Sequence, residues 1–307
     1  MVATEDRPRP AAATERPRDP ALLRRLALIS VIANAGIVVT GGAVRLTNSG
    51  LGCPTWPRCS DDSLVPTAAQ AGHGVIEFSN RTLTFVLTVI ALATLAVALR
   101  QGRQRPLAWV AFLGIPAQAL LGGITVLTDL NPWVVGLHFL LSMALLAVTY
   151  ALWWRLRYPG APPGHPVAVG LSRVVALLAL ATLVLGTVVT GAGPHAGDTR
   201  NGKVHRNGLA PAAMSQLHAD AVMVLIGASI GILALAIALR CGPRVIGAAK
   251  LLLALELAQG VVGFVQYFTH LPALLVVLHM VGAVLVWLAT LRLLFGLRPP
   301  VRADRLT

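Results

Sequence analysis

The sequence predicts an all-α integral membrane protein whose eight transmembrane helices form two pseudo-symmetric four-helix bundles. Composition is the first reason: 56% of the 307 residues are hydrophobic and 12% are charged, and mean hydropathy is +0.73. A soluble domain runs near about half apolar and a quarter charged. The second reason is that apolar stretches long enough to cross about 30 Å of hydrocarbon recur along the chain. The third is an internal repeat of chemically unusual residues.

Taken in order, the apolar stretches lie near 26–46, 72–99, 106–127, 133–154, 174–193, 213–239, 249–268 and 273–295. Arginines gather before the first stretch (Arg7, Arg9, Arg16, Arg18, Arg24, Arg25) and after the second (Arg100, Arg103, Arg105), the fourth (Arg155, Arg157, Arg173), the sixth (Arg240, Arg244, with Lys250) and the eighth (Arg292, Arg298, Arg302, Arg305). Cationic loops stay in the cytoplasm, so both termini are expected there. The opposite side then receives two longer loops, about 47–70 and 194–212, and two tight turns, Thr128–Pro132 and Thr269–Pro272. Residues 1–25 read as a disordered cytoplasmic tail, not a signal peptide, because their Pro- and Arg-rich composition holds no apolar core. The remaining divisions are an N-terminal bundle at 26–154, a Pro-rich cytoplasmic linker at 155–173, a C-terminal bundle at 174–295 and a cytoplasmic tail at 296–307.

Net charge is +13, which in a soluble protein raises nucleic acid as a partner. Here 19 of the 25 Lys and Arg lie in the tails and alternate connections, the distribution of topology signals and of contacts with anionic membrane lipid, so nucleic acid is not expected. Of the three cysteines, Cys53 and Cys59 share the first outer loop, where an oxidising compartment favours a disulfide. Cys241 stands beside Arg240 on the other side.

The repeat sets the architecture. Gly36-Ile-Val-Val-Thr40-Gly41 answers Gly186-Thr-Val-Val-Thr190-Gly191. Pro66 precedes His73 by seven residues and Pro211 precedes His218 by seven. Gln118 and Gly122 precede His138 by 20 and 16 residues, as Gln259 and Gly263 precede His279. Four spans per unit place both units in the same orientation, as parallel repeats require.

A haem iron held by protein alone needs two imidazoles on opposite porphyrin faces, hence two helices each offering a histidine at similar depth. His73 with His138, and His218 with His279, meet that requirement by their spacing from prolines, one to two turns inside their spans. The competing reading is four polar side chains hydrogen-bonded across the bundles. His165 falls in the linker. His195, His205 and His270 lie in or beside outer loops, where solvated surface is the expected role and a place against a propionate or a substrate is the alternative. No Cys/His set has structural zinc spacing.

Ile76-Glu77-Phe78-Ser79-Asn80-Arg81 places a carboxylate and a guanidinium on one face of the second span. Ionisable groups at membrane depth default to function. Glu77 is read as a proton acceptor or as an orienter of substrate, with Asn80 and Arg81 donating hydrogen bonds; mutual neutralisation of Glu77 and Arg81 is the alternative. The sixth span has no such group, reading Ala221-Val-Met-Val-Leu225-Ile226, so the active site is expected in the N-terminal half and a structural or electron-transfer haem in the other. Glu256 and Asp220 are expected to make polar contacts within the bundle.

These residues resemble a known family, the heme A synthases, in the form found in high-GC Gram-positive bacteria. The resemblance covers roughly residues 26–295. It rests on Thr40-Gly-Gly-Ala-Val-Arg-Leu-Thr-Asn-Ser-Gly-Leu-Gly-Cys-Pro-Thr-Trp-Pro-Arg-Cys59, on Ile76–Arg81, on Thr190-Gly-Ala-Gly-Pro-His-Ala-Gly-Asp198 and on the Leu-His positions of spans four and eight. It implies oxidation of the C8 methyl of heme O to a formyl group by successive hydroxylations, giving heme A for cytochrome c oxidase. It also implies haem b on two histidines of the C-terminal half and the substrate haem in the N-terminal half. His138 and His279 match the family's histidines of spans four and eight, Glu77 a glutamate important for the reaction, and Cys53 with Cys59 an outer-loop cysteine pair. Association with a heme O synthase and with cytochrome c oxidase assembly factors is compatible with that chemistry, and a di-haem cytochrome b passing electrons is the alternative reading. Two departures stand out. Many relatives read Glu-x-x-His-Arg where this chain has Asn80, and the analogous place in span six is also not histidine; the proline spacing assigns His73 and His218 as ligands instead. Some relatives also carry cysteines in the second outer loop, whereas 194–212 has none.

Overall fold

The computed structural model describes residues 20–160, 164–195 and 204–297. Eight long helices account for most of them: α1 (Pro20–Leu46), α2 (Ala71–Gln101), α3 (Arg105–Leu127), α4 (Pro132–Arg157), α5 (Pro166–Ala192), α6 (Pro211–Ala238), α7 (Pro243–Phe268) and α8 (Ala273–Gly296). All eight are long and apolar enough to cross a membrane. A helix satisfies its backbone internally, which hydrocarbon demands of any single segment exposed to it. Prolines start them cleanly: Pro132, Pro166, Pro211 and Pro243 are each the first helical residue, a position whose N–H has no helical partner to lose. Pro116 lies inside α3 without ending it.

The helices outrun the apolar stretches at the Arg-rich end. Residues 20–25, expected as tail, form the first turns of α1, and most of the expected linker is helical, belonging to α4 up to Arg157 and to α5 from Pro166. Arg24, Arg25, Arg155 and Arg157 can hold their charges in water on long stems while the backbone stays helical. Residues 1–19 of the first tail, 161–163 of the linker, 298–307 of the last tail and 196–203, with Asp198, lie outside the described residues.

Each half closes on itself: α1 packs on α2 and α4 and α3 on α2 and α4, while α5 packs on α6 and α8 and α7 on α6 and α8. The halves join through α1 with α8, α4 with α5, and α4 with α8. Under the repeat α1 corresponds to α5 and α4 to α8. The first two contacts therefore exchange with one another, and α4 with α8 lies on the pseudo-two-fold axis, the arrangement of an isologous dimer written in one chain. The tight turns also repeat: Asp129 and Leu130 (φ 50° and 58°) correspond to His270 and Leu271 (φ 61° and 60°). The amide of Leu130 donates to the Thr125 carbonyl and that of Leu271 to the Gln266 carbonyl.

Small residues let helices approach at the seam. Gly42 of α1 backs directly onto Met280 of α8, and a Cβ on Gly136 of α4 would stand 3.2 Å from Thr187 Oγ1 of α5. The largest buried core follows this seam, with Met143, Leu146, Val175, Ile232, Leu252, Trp287 and Leu293 among its members. The indole Nε1 of Trp287 donates to the Met143 carbonyl at 3.0 Å, across the axis. In the C-terminal half that packing is confined to the end nearer the termini. Leu225, Ser229, Ile232 and Ala236 are the buried positions of α6, and Ala248, Ala249, Leu252 and Glu256 those of α7, so among the described residues α6 and α7 bury no side chain at the loop end of this bundle.

Trp287→Phe removes a buried donor while preserving the ring. We expect a loss of about 1 kcal/mol, read as a lower unfolding midpoint of the detergent-solubilised protein; an unchanged midpoint would mean that the indole contributes by packing alone.

Candidate functional site

The loop end of the C-terminal bundle contains two histidines. His218 is the eighth residue of α6 and His279 the seventh of α8. Their ring centroids are 6.5 Å apart, with planes at 69°. A glycine stands beside each ring: a Cβ on Gly186 of α5 or on Gly263 of α7 would come within 3.3 Å of the Cε1 of His218 or His279, respectively. The Gln259 amide donates to the His279 carbonyl at 2.5 Å, fixing that turn of α8 against α7. The Nδ1 atoms of both histidines are buried without a hydrogen-bond partner, a state that costs free energy in the absence of a ligand or solvent. Metal–imidazole bonds of about 2 Å on opposite faces of one iron put ring centroids roughly 6 Å apart. The observed pair fits a bis-histidine haem.

The N-terminal half repeats the arrangement around His138, the seventh residue of α4. Gln118 donates to the His138 carbonyl at 3.3 Å and to Ser142 Oγ at 2.5 Å. A Cβ on Gly122 would meet His138 Cε1 at 3.1 Å, and His138 Nδ1 is again buried without a partner. The facing ring is missing. His73 is the third residue of α2, is exposed, and pairs through Nδ1 with Ser49 Oγ at 2.9 Å. Among the described residues the rings of His73 and His138 make no contact like that of His218 and His279. Equal spacing from proline did not mean equal depth, because Pro211 opens α6 whereas Pro66 lies ahead of a short 3-10 turn at Ala68–Gln70 and α2 begins only at Ala71. The five-residue difference in helical position is about 7.5 Å along the axis.

At the depth of His138, α2 instead offers Glu77 and Asn80, its seventh and tenth residues. Asn80 Oδ1 accepts from Thr40 Oγ1 at 2.7 Å, joining α2 to α1. Glu77 is 6% exposed and lies under the first loop. Its Oε2 accepts the Cys53 amide at 2.5 Å, and its Oε1 accepts from Arg81 at 2.5 and 3.0 Å. Arg81 spends its other donors on the carbonyls of Cys53 (2.9 Å), Thr55 (3.1 Å) and Arg58 (3.1 Å). Cys53 and Cys59 form a disulfide, so the pair clamps a closed ring of backbone to α2. Trp56, within that ring, lies directly against Gly123 of α3, the neighbour of the Gly122 that faces His138.

Four other candidates are accounted for locally. His195 is not free surface: its Nε2 meets the Leu271 carbonyl at 2.8 Å, and its own carbonyl accepts from Arg45 at 2.6 Å. His165 caps α5 through Nδ1 and the Val167 amide. Glu256 accepts from Ser229 at 2.9 Å in the core, and Asp220 accepts from Gln216 on its own helix. The repeat had singled out Gln118 and Gln259, though only as markers. Ser49 and Trp56 carried no periodic signal, and their contacts depend on how the loop folds back.

Taken together, the chain is a multi-pass α-helical membrane protein with a histidine pair set in the open end of one of two fused bundles. Comparison with known proteins takes this further. The sequence profile of the cytochrome oxidase assembly protein family matches residues 24–291. Among individual relatives, heme A synthase of Geobacillus kaustophilus is 31% identical over 131 residues, covering 41% of this chain and 40% of the relative. That of Geobacillus thermodenitrificans is 32% identical over 127 residues, 39% of each chain, and that of Bacillus cereus 28% identical over 116 residues, 36% of each. The matched region thus spans about two-fifths of these curated relatives. The chain belongs to the cytochrome oxidase assembly family that contains the heme A synthases.

Arg81→Ala would leave Glu77 buried without its cation and the loop carbonyls without their donor. We expect a loss of about 3 kcal/mol or more and faster proteolysis between Cys59 and Pro66; wild-type resistance would show that the disulfide alone holds the loop.

Proposed function

We propose that the chain is a heme A synthase, oxidising the C8 methyl of heme O to a formyl group by successive hydroxylations to give heme A for cytochrome c oxidase. The observation that carries this reading is the asymmetry of the halves. The C-terminal half presents two facing imidazoles, His218 and His279, which would hold a haem b. The N-terminal half presents one imidazole at the same helical position, with Glu77, Asn80 and Arg81 on the helix that carries no matching histidine. A tetrapyrrole held there by His138 would meet these polar groups, which oxidation of a peripheral methyl can use and a purely electron-carrying haem does not need.

In this assignment His218 and His279 hold haem b, which when bound supplies one-electron redox chemistry beside the substrate half. His138 orients heme O. Asn80, with its carbonyl oxygen occupied by Thr40, has its amide hydrogens to donate toward the substrate. Glu77 is the proton acceptor, and Arg81 holds it in place and keeps the loop closed over the bundle so that water is excluded. His73, on Ser49 near the surface, is a loop contact in this scheme and not a ligand. The arginine distribution supports cytoplasmic termini, and in that orientation both haem positions and the disulfide lie toward the outer face of the cell membrane. Heme O synthase and cytochrome c oxidase assembly factors are the natural partners for receiving and delivering so reactive a group.

The test is acid–acetone extraction of haems from detergent-purified protein co-expressed with a heme O synthase, with identification by chromatography and mass. Heme A or a hydroxylated heme O supports the assignment; haem B alone, with heme O demonstrably supplied, overturns it. Glu77→Ala is expected to keep bound haem and lose product, and a normal heme A yield would remove Glu77 from the chemistry. His279→Ala is expected to abolish the low-spin haem b spectrum.

A further inference from the structure

Arg45 lies in the last turn of α1 and reaches across the seam into the other half. Its Nε donates to the His195 carbonyl at 2.6 Å and its Nη2 to the Thr190 carbonyl at 3.1 Å. Arg45 and His195 occupy corresponding positions of the repeat, in Thr40-Gly-Gly-Ala-Val-Arg45 and Thr190-Gly-Ala-Gly-Pro-His195, so the two units touch at their own equivalent residues. Among the described residues Arg45 meets no carboxylate, and its Nη1 has no hydrogen-bond partner. Two carbonyls satisfy donors but do not neutralise a charge, and a half-buried guanidinium at a bilayer-embedded seam is costly without an anion.

The position of this cation relative to the histidine pair identifies the anion. Thr190 Oγ1 bonds the Gly186 carbonyl at 2.7 Å, one turn deeper in α5, and Gly186 is the residue facing the His218 ring. The guanidinium therefore stands about one helical turn, about 5.4 Å, on the loop side of His218. Toward the termini the same bundle is closed by Leu225, Ile232 and Leu252 together with the carboxylate of Glu256, surroundings that would repel an acid. We infer that Arg45, a residue of the N-terminal half, anchors a propionate carboxylate of the haem held by His218 and His279 in the C-terminal half. The charge-assisted bond goes through Nη1, the donor left after the two carbonyls are served. The inference rests on the haem b assignment above. It makes the C-terminal site incomplete without α1, so occupancy of one half bears on the seam with the other.

The experiment uses full-length holoprotein expressed without a heme O synthase in cells fed 5-aminolevulinate labelled with carbon-13 at its carboxyl, which labels the haem propionates. Redox difference infrared spectra are compared for wild type, Arg45→Gln and Arg45→Lys, together with the rate of haem loss to an excess of apomyoglobin. The expected result is a labelled-carboxylate band displaced in Arg45→Gln and displaced by a smaller amount in Arg45→Lys, with haem loss faster by about tenfold in Arg45→Gln. Should Arg45→Gln not accumulate, the lysine variant alone must still displace the band, because an ammonium cannot reproduce the guanidinium bond. Labelled bands identical in every variant obtained would overturn the inference and leave Arg45 as a brace between helices. Failure of the underlying assignment is separate: a low-spin haem spectrum surviving in His279→Ala would overturn the haem b site whatever Arg45 does.

Discussion

Inside hydrocarbon an imidazole has no water to fall back on, and the chain places three of them, His138, His218 and His279, with Nδ1 buried and unpartnered. Much of the rest follows from accommodating those rings. Each needs a helix face stripped to glycine beside it, which Gly122, Gly186 and Gly263 provide. His138 and His279 also need their helix turn fixed, which Gln118 and Gln259 do by bonding the histidine's own backbone carbonyl. A bundle with few buried side chains at one end must gain its cohesion at the other, and the seam core of Met143, Leu146, Ile232, Leu252 and Trp287 is placed accordingly. Buried packing near the termini and its scarcity near the histidines are two aspects of one requirement.

Fusing two such bundles about the α4–α8 axis lets the copies diverge without losing register. The second copy keeps the facing pair. The first has no facing imidazole and carries Glu77, Asn80 and Arg81 on α2, while its fourth helix dresses His138 as α8 dresses His279. The polar groups particular to the first half lie on α2 and under its preceding loop, and α2 makes no contact with the other half among the described residues. Changes there can alter chemistry without disturbing the joint between halves.

The fold was legible because membrane burial writes itself into sequence as length and apolarity, and because the repeat tied positions 141 to 150 residues apart. What the sequence could not give is depth where a loop intervenes. His73 and His218 share a spacing from proline, yet one proline opens a helix and the other precedes a 3-10 turn. Helix ends were drawn short at the Arg-rich face, since apolarity stops where hydrocarbon stops but helical hydrogen bonding does not. His195 read as surface because nothing in its neighbours announces that Arg45, 150 residues earlier, will grip its carbonyl. Contacts at such separation belong to tertiary structure, and periodicity carries no trace of them.

The geometry of Glu77 also bears on how the disulfide and the proposed active site relate. Neutralising Arg81 would have been enough to keep a carboxylate at membrane depth, but Glu77 takes a backbone N–H from Cys53 as well, and Arg81 grips the carbonyls on either side of Trp56. Loop, carboxylate and guanidinium therefore form one unit. Opening the Cys53–Cys59 ring would free the Cys53 amide and loosen three carbonyl contacts together, shifting the donors that fix the carboxylate. A staple that looks merely structural thereby sets the orientation of the group proposed to accept protons. A role for the cysteines in the reaction need not involve electrons passing through sulfur; it is enough that the closed ring holds Glu77 where the substrate half requires it.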